Sequence, residues 1–397
     1  MAVRKRVSAA KGQGKGAEKS APSVSEASKG GGGIKRRKNV PVDDTDIPEF
    51  PGELGAIVEK ITKSEHYGKP FIRGSSRRLS SVRTRSGILA FDLALGGGWT
   101  RARAGMLYGE RSSGKSTIAL QSIAAYMDAN PDDFAAWIDV EGTLDKAWAR
   151  KLGVDLNRLV VVEPETGEHA VDLADSMLRA REIGFTVMDS IAMLVSMKEL
   201  DESAEQDTMA LQARLVGKYI RRTNNALLKE RARGHFPTLL HLNQFRMKVG
   251  LVFGDPRTLP GGKALEFSTT QQAETKNKEN VGKDTSGNDV VLYNEHNVKI
   301  TKNKGGGPMK EAAFKLIRTD GHEGLPEAWV DQAKTIYKYG SQVGVITGAA
   351  NSFIADGISH KFRSAADFNA WALENRIPYG QLQQKIIDGF RHRWDLD

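Results

Sequence analysis

Short apolar runs recur through the middle of the chain at Met106–Gly109, Phe134–Val140, Leu159–Val162, Phe185–Met188 and Leu239–Leu242. Each is bounded by polar or turn residues, which predicts buried strands. Stretches with helical apolar spacing lie between them, at Val171–Ala180 and Leu211–Glu230. Uniformly apolar strands that alternate with helices predict an α/β fold: a mostly parallel central sheet covered on both faces. Later strands at Asn297–Thr301 and Ala313–Ile317 are expected to extend it with mixed pairing. Ahead of the sheet, Ile57–Ile61 predicts a short helix, and SGILAFDLALGGG (86–98) predicts a helix ended by three glycines. From about residue 328 the pattern changes to short helices around YKYGSQVGVITG. The expected organisation is therefore an N-terminal arm (1–45), a helical adaptor region (46–103), a sheet core (104–327) and a small C-terminal α/β domain (328–397).

Charge changes the picture at one end only. The chain has 397 residues and a net charge of +9. Residues 1–40 hold eleven Lys or Arg and two Glu, so the remaining 357 residues, with 47 basic and 47 acidic groups, sum to zero. A Gly-, Ser- and Ala-rich polycation of this kind cannot build a core. It can contact a phosphate backbone without reading sequence. There is no cysteine, which excludes a disulfide framework and a thiolate metal site. No apolar run approaches membrane-spanning length, so no membrane segment is expected.

The chemistry starts at residues 109–117, GERSSGKST. Gly109, Gly114, Lys115 and Ser116 fit G-x-x-x-x-G-K-[ST] between a strand and a helix, the pattern of a phosphate cradle. Loop amides and the helix N-terminus favour anionic oxygens. Arg111, Ser112, Ser113 and Thr117 complete the expected nucleotide-binding loop. Lys115 is expected to reach the β- and γ-phosphates of ATP, and Ser116 to hold Mg²⁺. Asp189 ends the strand FTVMD, where ligands of open α/β sheets bind, and is the expected second Mg²⁺ residue. Glu141 follows FAAWIDV and is the expected general base for water. Asp139 shares its sheet face by alternation, but Glu141 lies nearer the strand end. Gln244 ends TLLHLNQ and is positioned to sense the γ-phosphate.

Two connections are too long for a compact α/β unit. One is KELDESAEQDT (198–208), followed by Met209, Arg214 and Arg221 at spacings that share one helical side. The other, FRMKVGLVFGDPRTLPGGK (245–263), carries Arg246, Lys248, Val249, Leu251, Phe253, Arg257, Gly261, Gly262 and Lys263. Basic groups, open amides and apolar wedges together suit a nucleic acid.

Residues 50–385 resemble the bacterial RecA recombinase family. The resemblance rests on GERSSGKST, IDVEGTLDKAWARKLGVD (138–155), EPETGEHA (163–170), VMDS (187–190), LNQFRMKVGLVFGDP (242–256) and VKITKNKGGGP (298–308), in that order. It implies a RecA-like P-loop ATPase core that binds ATP and Mg²⁺. Glu141 would then activate water, and Gln244 would switch the second DNA loop. Asp145 and Trp148 would contact adenine, with tryptophan where the family usually has tyrosine. Met209, Arg214, Arg221, Val249, Gly261 and Gly262 match DNA-contacting positions, and Arg246 and Lys248 flank them. Lys302 and Lys304 match lysines that reach the ATP of the adjacent protomer, and Phe267 matches an interface aromatic. Residues 50–65 resemble a helix that packs on a neighbouring subunit.

The implied activity is ATP-dependent pairing and exchange of DNA strands by a helical filament on single-stranded DNA. The expected partners are single-stranded DNA, duplex DNA during homology search, further copies of the chain, and single-strand-binding and loader proteins. The expected location is the cytoplasm, bacterial or host. The alternatives are a branched-DNA repair motor or mediator on the same ATPase fold, and a nonenzymatic single-strand binder. Four features depart from the family: Gly142 after the expected base, a first DNA loop without glycines, Glu266 beside Phe267, and no acidic tail in RHRWDLD. These departures and the basic arm fit a divergent, phage-encoded member.

Overall fold

The computed structural model describes residues 52–63, 82–195, 208–247, 257–284 and 286–396. The basic arm, Lys248, Val249, Leu251, Phe253 and most of the first long connection lie outside the described residues, as does the Met209 side chain. Helix α1 spans Gly52–Thr62. A short ladder then pairs β1 (Arg83–Thr84) with β2 (Trp99–Thr100) around helix α2 (Leu89–Ala94).

The nucleotide-core region repeats strand and helix. It runs β3 (Ala104–Gly109), α3 (Lys115–Ala129), β4 (Phe134–Asp139), α4 (Lys146–Lys151), β5 (Leu159–Val162), α5 (Gly167–Arg179) and β6 (Ile183–Asp189). A long helix, Thr208–Ala232, leads to β7 (Thr238–Gln244). Two short strands, β8 (Arg246–Met247) and β9 (Arg257–Thr258), pair with each other. After a helix at Gly262–Ser268 come β10 (Gln271–Lys283), β11 (Asp289–Asn303), β12 (Glu311–Ile317) and β13 (Val330–Asp331).

One nine-stranded sheet results, in the order β13-β12-β11-β10-β3-β7-β6-β4-β5. The six strands from β10 to β5 are parallel, and β11, β12 and β13 add antiparallel to the β10 edge. Every residue of β3 and β6 is buried, which is why these strands read as unbroken apolar runs. The edge strand β5 keeps Val160 and Val161 exposed.

The region after residue 328 has a helix at Ala333–Gln342, a sheet of β14 (Ile346–Ala349), β15 (Ser352–Ala355) and β16 (Lys361–Phe362), and helices at Ala365–Glu374 and Arg376–Arg393. The segment VGVITG, expected among short helices, enters β14 instead. Its aromatic core stacks Phe353, Phe362 and Phe368 with centroids 5.0–5.9 Å apart.

Helix α2 is shared between cores. Ala90, Phe91 and Ala94 pack into the core around α3 and β4, whereas Leu89 and Leu93 join the aromatic core of the last segment. It ends at the three glycines as the sequence suggests: Leu95 is its C-cap, and Gly96, Gly97 and Gly98 all adopt positive φ. Asp92 is fully buried in α2, and its Oδ1 accepts from the Ser86 amide at 2.6 Å while Oδ2 has no partner.

Burial pushes the Asp92 carboxyl up to about 6, against the lowering effect of the Ser86 hydrogen bonds. An unfolded aspartate titrates near 3.8. Between those values the native state holds the extra proton, so this group's contribution to stability falls as pH rises and is lost above about 6. The loss is roughly 3 kcal/mol. Asp92→Asn is therefore expected to be more stable relative to the parent at pH 7 than at pH 4. Unfolding free energies of both proteins across that range test this, and a constant difference would rule it out.

Candidate nucleotide and DNA site

The site lies at the carboxyl ends of the parallel strands, where open α/β sheets bind ligands. β3 runs out through Gly109 into the loop 110–114, and α3 starts at Lys115 with Gly114 as its N-cap. Gly114 has φ +92°, and a Cβ there would come within 2.4 Å of the His296 ring. Glycine thus serves both the left-handed turn and the close approach.

Lys115 is buried, and its ammonium donates to the carbonyls of Glu110 at 2.7 Å and Gly109 at 3.3 Å. Burial pulls it below the usual lysine range, and Asp189, Glu141 and Glu110 oppose that shift. Strand β10 braces the loop from behind. Thr275 Oγ1 lies 2.7 Å from Ser113 Oγ, and Asn277 Nδ2 donates to the Ser112 carbonyl at 3.3 Å. These bracing residues, and His296 on β11, carry no sequence signal of a nucleotide site. They follow from the sheet order alone. Arg111 is exposed.

Ser116 Oγ donates to Asp189 Oδ2 at 3.3 Å. Burial, followed by the charges of Glu141 and Asp139, pushes Asp189 up to about 7; Ser116 and Lys115 act against it. Glu141 Oε1 accepts from Gln244 Nε2 at 2.9 Å and from Ser190 Oγ at 2.5 Å. Asp139 is engaged differently. Its oxygens accept the Thr143 and Leu144 amides at 3.2 and 2.9 Å and shape the loop after β4. Gly142, in that loop, has open space where a Cβ would stand.

Trp148 sits beside the start of α3. Its Nε1 donates to Thr117 Oγ1 at 3.3 Å, and the Arg318 guanidinium lies 4.6 Å from its ring. Asp145 caps α4 by accepting the Ala147 and Trp148 amides. The structure thus gathers the phosphate loop, Glu141, Asp189 and Gln244 into one cluster, with Trp148 at its margin.

Gln244 also leads directly into the second long connection. The base of that connection is held by the β8–β9 pair and by Asn243 Nδ2, which donates to the Pro260 carbonyl at 2.9 Å. Arg246 donates to the Ala192 carbonyl and to Gln212 Oε1. Gly261 takes φ +87° as the N-cap of the following helix, and Gly262 stands in open space. Arg214 and Arg221 are exposed on the long helix.

Lys302 and Lys304 are elsewhere. Register pairs Lys302 with Gln272 and Gln272 with Met106, while the Lys304 amide bonds to Thr270, whose own amide bonds to Ala104. Lys304 therefore stands at the starting end of β3 and Lys302 abreast of its third residue, while the phosphate loop leaves its finishing end. Lys302 Nζ donates to the Glu266 carbonyl at 2.5 Å, and Lys304 is exposed. Phe267 nearby is 68% exposed.

Among the described residues no helix is long and apolar enough to cross a membrane. The family profile of the RecA N-terminal domain matches residues 53–323. Protein RecA of Leifsonia xyli is 36% identical over 352 residues, covering 82% of this chain and 95% of that protein. Protein RecA of Mycoplasma mycoides is 34% identical over 276 residues, covering 69% of this chain and 77% of the relative. Protein RecA of Petrotoga mobilis is 36% identical over 268 residues, 66% of this chain and 69% of its own. A profile match over more than half the chain, with relatives covered over most of their length, decides the assignment: the chain belongs to the RecA family of ATP-dependent DNA strand-exchange enzymes.

Proposed function

We propose that this RecA-family chain assembles head-to-tail on single-stranded DNA, holds ATP between successive protomers, and uses the filament to pair and exchange strands with duplex DNA. The observation that carries this reading is the split of the charged groups across β3. The phosphate loop leaves one end of this six-residue strand and Lys304 stands at the other. At about 3.3 Å per residue the strand separates them by roughly 17 Å, beyond the reach of a lysine side chain. A lysine so placed does not reach its own phosphate loop, which supports a role at another copy's site. Such a contact is heterologous, and repeating it makes an open helix.

The residues at the loop fit Mg²⁺ with ATP. The oxygens of Ser116 and Asp189 are adjacent, and Asp189 is buried with the Glu141 and Asp139 carboxylates beside it. A hard cation with few protein ligands and phosphate oxygens suits such a pair. Bound there, Mg²⁺ would neutralise phosphate charge. Lys115 exchanges its carbonyl partners for phosphate oxygens. Glu141 takes the proton from attacking water. Gln244, released from Glu141, turns toward the γ-phosphate and carries its presence into the connection after β7. Trp148 offers its face to adenine, and Gly261 and Gly262 with Arg214 and Arg221 face DNA phosphates.

Imaging on single-stranded DNA with and without a nonhydrolysable ATP analogue tests the assembly. Helical filaments that require the nucleotide are expected; discrete complexes that unwind or migrate branched DNA would favour the repair-motor alternative. The DNA assignment has its own test. Arg214→Ala with Arg221→Ala is expected to weaken binding of all oligonucleotides alike and to flatten the salt dependence by about 0.7 in logarithmic slope for each phosphate no longer neutralised. Anisotropy titrations at several salt concentrations measure this, and an unchanged slope places the DNA-binding groups elsewhere.

A further inference from the structure

The segment that follows the two lysines, Gly305–Gly307, has no side chains with which to fix itself, and glycine is the residue with the most freedom to lose. It is nevertheless gripped on three sides. Arg83 donates to the Gly305 carbonyl, and also to the carbonyls of Leu95 at 2.8 Å and Gly98 at 3.2 Å. A Cβ on Gly96 would fall 2.6 Å from the Gly306 Cα, so the two glycine triplets lie backbone to backbone. A Cβ on Gly307 would fall 2.6 Å from both Cε3 and Cζ3 of Trp394, so the indole occupies the space where a side chain would project.

Trp394 is itself well anchored. Its ring packs on Phe390 at 5.0 Å, at the end of the last helix, and joins the aromatic core of that segment. Arg391, one turn earlier, donates to the Gly96 carbonyl at 3.0 Å from the other side of the triplet contact. The end of the last helix thus closes on the glycine triplet directly after Lys304.

We propose that Trp394 is a positioning residue for Lys304: by clamping Gly307 against Gly96 and Arg83 it fixes the chain just past β11, from which Lys304 reaches the next protomer. This rests on the reading of that lysine given above. Without the indole, the triplet becomes a flexible leash and Lys304 loses its aim. The defect should appear only where two protomers share a nucleotide.

The test compares Trp394→Ala, Trp394→Phe and Gly307→Ala, each alone and combined with Lys304→Ala. Gly307→Ala drives a Cβ into the ring while leaving the aromatic core its tryptophan, so it probes the clamp even where loss of the indole weakens folding. Trp394→Ala and Gly307→Ala are each expected to lower DNA-stimulated ATP turnover by about 10²-fold, the scale of an ångström's misplacement caused from outside the reacting centre. DNA-free turnover and ATP affinity of the protomer should hold in the folded variants, and Trp394→Phe should keep most of the activity. In the Lys304→Ala background neither change should reduce turnover further. Wild-type turnover in both clamp variants, or losses that multiply with Lys304→Ala, would overturn the clamp alone. Wild-type turnover in Lys304→Ala itself would overturn the lysine reading, and the clamp with it.

Discussion

Glu141→Gln is expected to bind ATP and DNA as the parent does and to hydrolyse ATP about 10²–10⁴-fold more slowly, the usual contribution of a general base. The amide has the size of the carboxylate, and its oxygen can still accept from Gln244 and Ser190, which now meet Glu141 Oε1. Only the ability to take a proton is lost. Asp139 makes a useful contrast, because its carboxylate is occupied by the Thr143 and Leu144 amides. Asp139→Asn should disturb the loop and nucleotide affinity before it disturbs the chemical step. DNA-stimulated release of ADP at saturating ATP separates the two variants. Turnover of Glu141→Gln close to the parent's would remove Glu141 from the role of base.

The second large effect concerns assembly. Lys302→Ala with Lys304→Ala is expected to abolish DNA-stimulated hydrolysis, while the protomer folds and binds nucleotide normally. Lys302 donates to the carbonyls of Glu266 and Phe267 at the end of a short helix, and Lys304 is exposed, so neither supports the core. Mixing this variant with Lys115→Ala subunits should restore part of the activity. In the mixture some interfaces join an intact phosphate loop to intact lysines. Full activity of the double-lysine variant by itself, or no recovery on mixing, would show that the site is not shared in this way.

The parallel strands are legible because β3, β4, β6 and β7 are buried on both faces and read as apolar runs. The same rule hides β10. Its sequence QQAETKNKENVGK is polar, its burial fades after Thr275, and its outer half pairs only with β11. Thr275 and Asn277, which brace the phosphate loop, sit on β10 and are hidden with it, while His296 lies one residue ahead of the strand expected at Asn297–Thr301. The phosphate loop announces itself because its chemistry dictates residue type at fixed spacing. The separate tasks of Asp139 and Glu141 do not, since alternation puts both near one strand end and only hydrogen bonding tells them apart. Helix α2 ends at its glycine triplet, as the sequence shows, but hydrophobicity does not reveal that it begins only at Leu89.

The placement of Lys304 and the phosphate loop at opposite ends of β3 has a consequence for polymer kinetics. A chain of n protomers joined in this way has n − 1 completed sites. One terminal subunit keeps an unanswered phosphate loop, and the other keeps unanswered lysines. The two ends are chemically unlike, so growth and shrinkage need not proceed at equal rates at each. DNA-stimulated turnover per protomer rises with length as (n − 1)/n, from zero for a lone subunit toward a plateau for long polymers. Short oligonucleotides that admit only a few copies should therefore stimulate less hydrolysis per bound subunit than long ones.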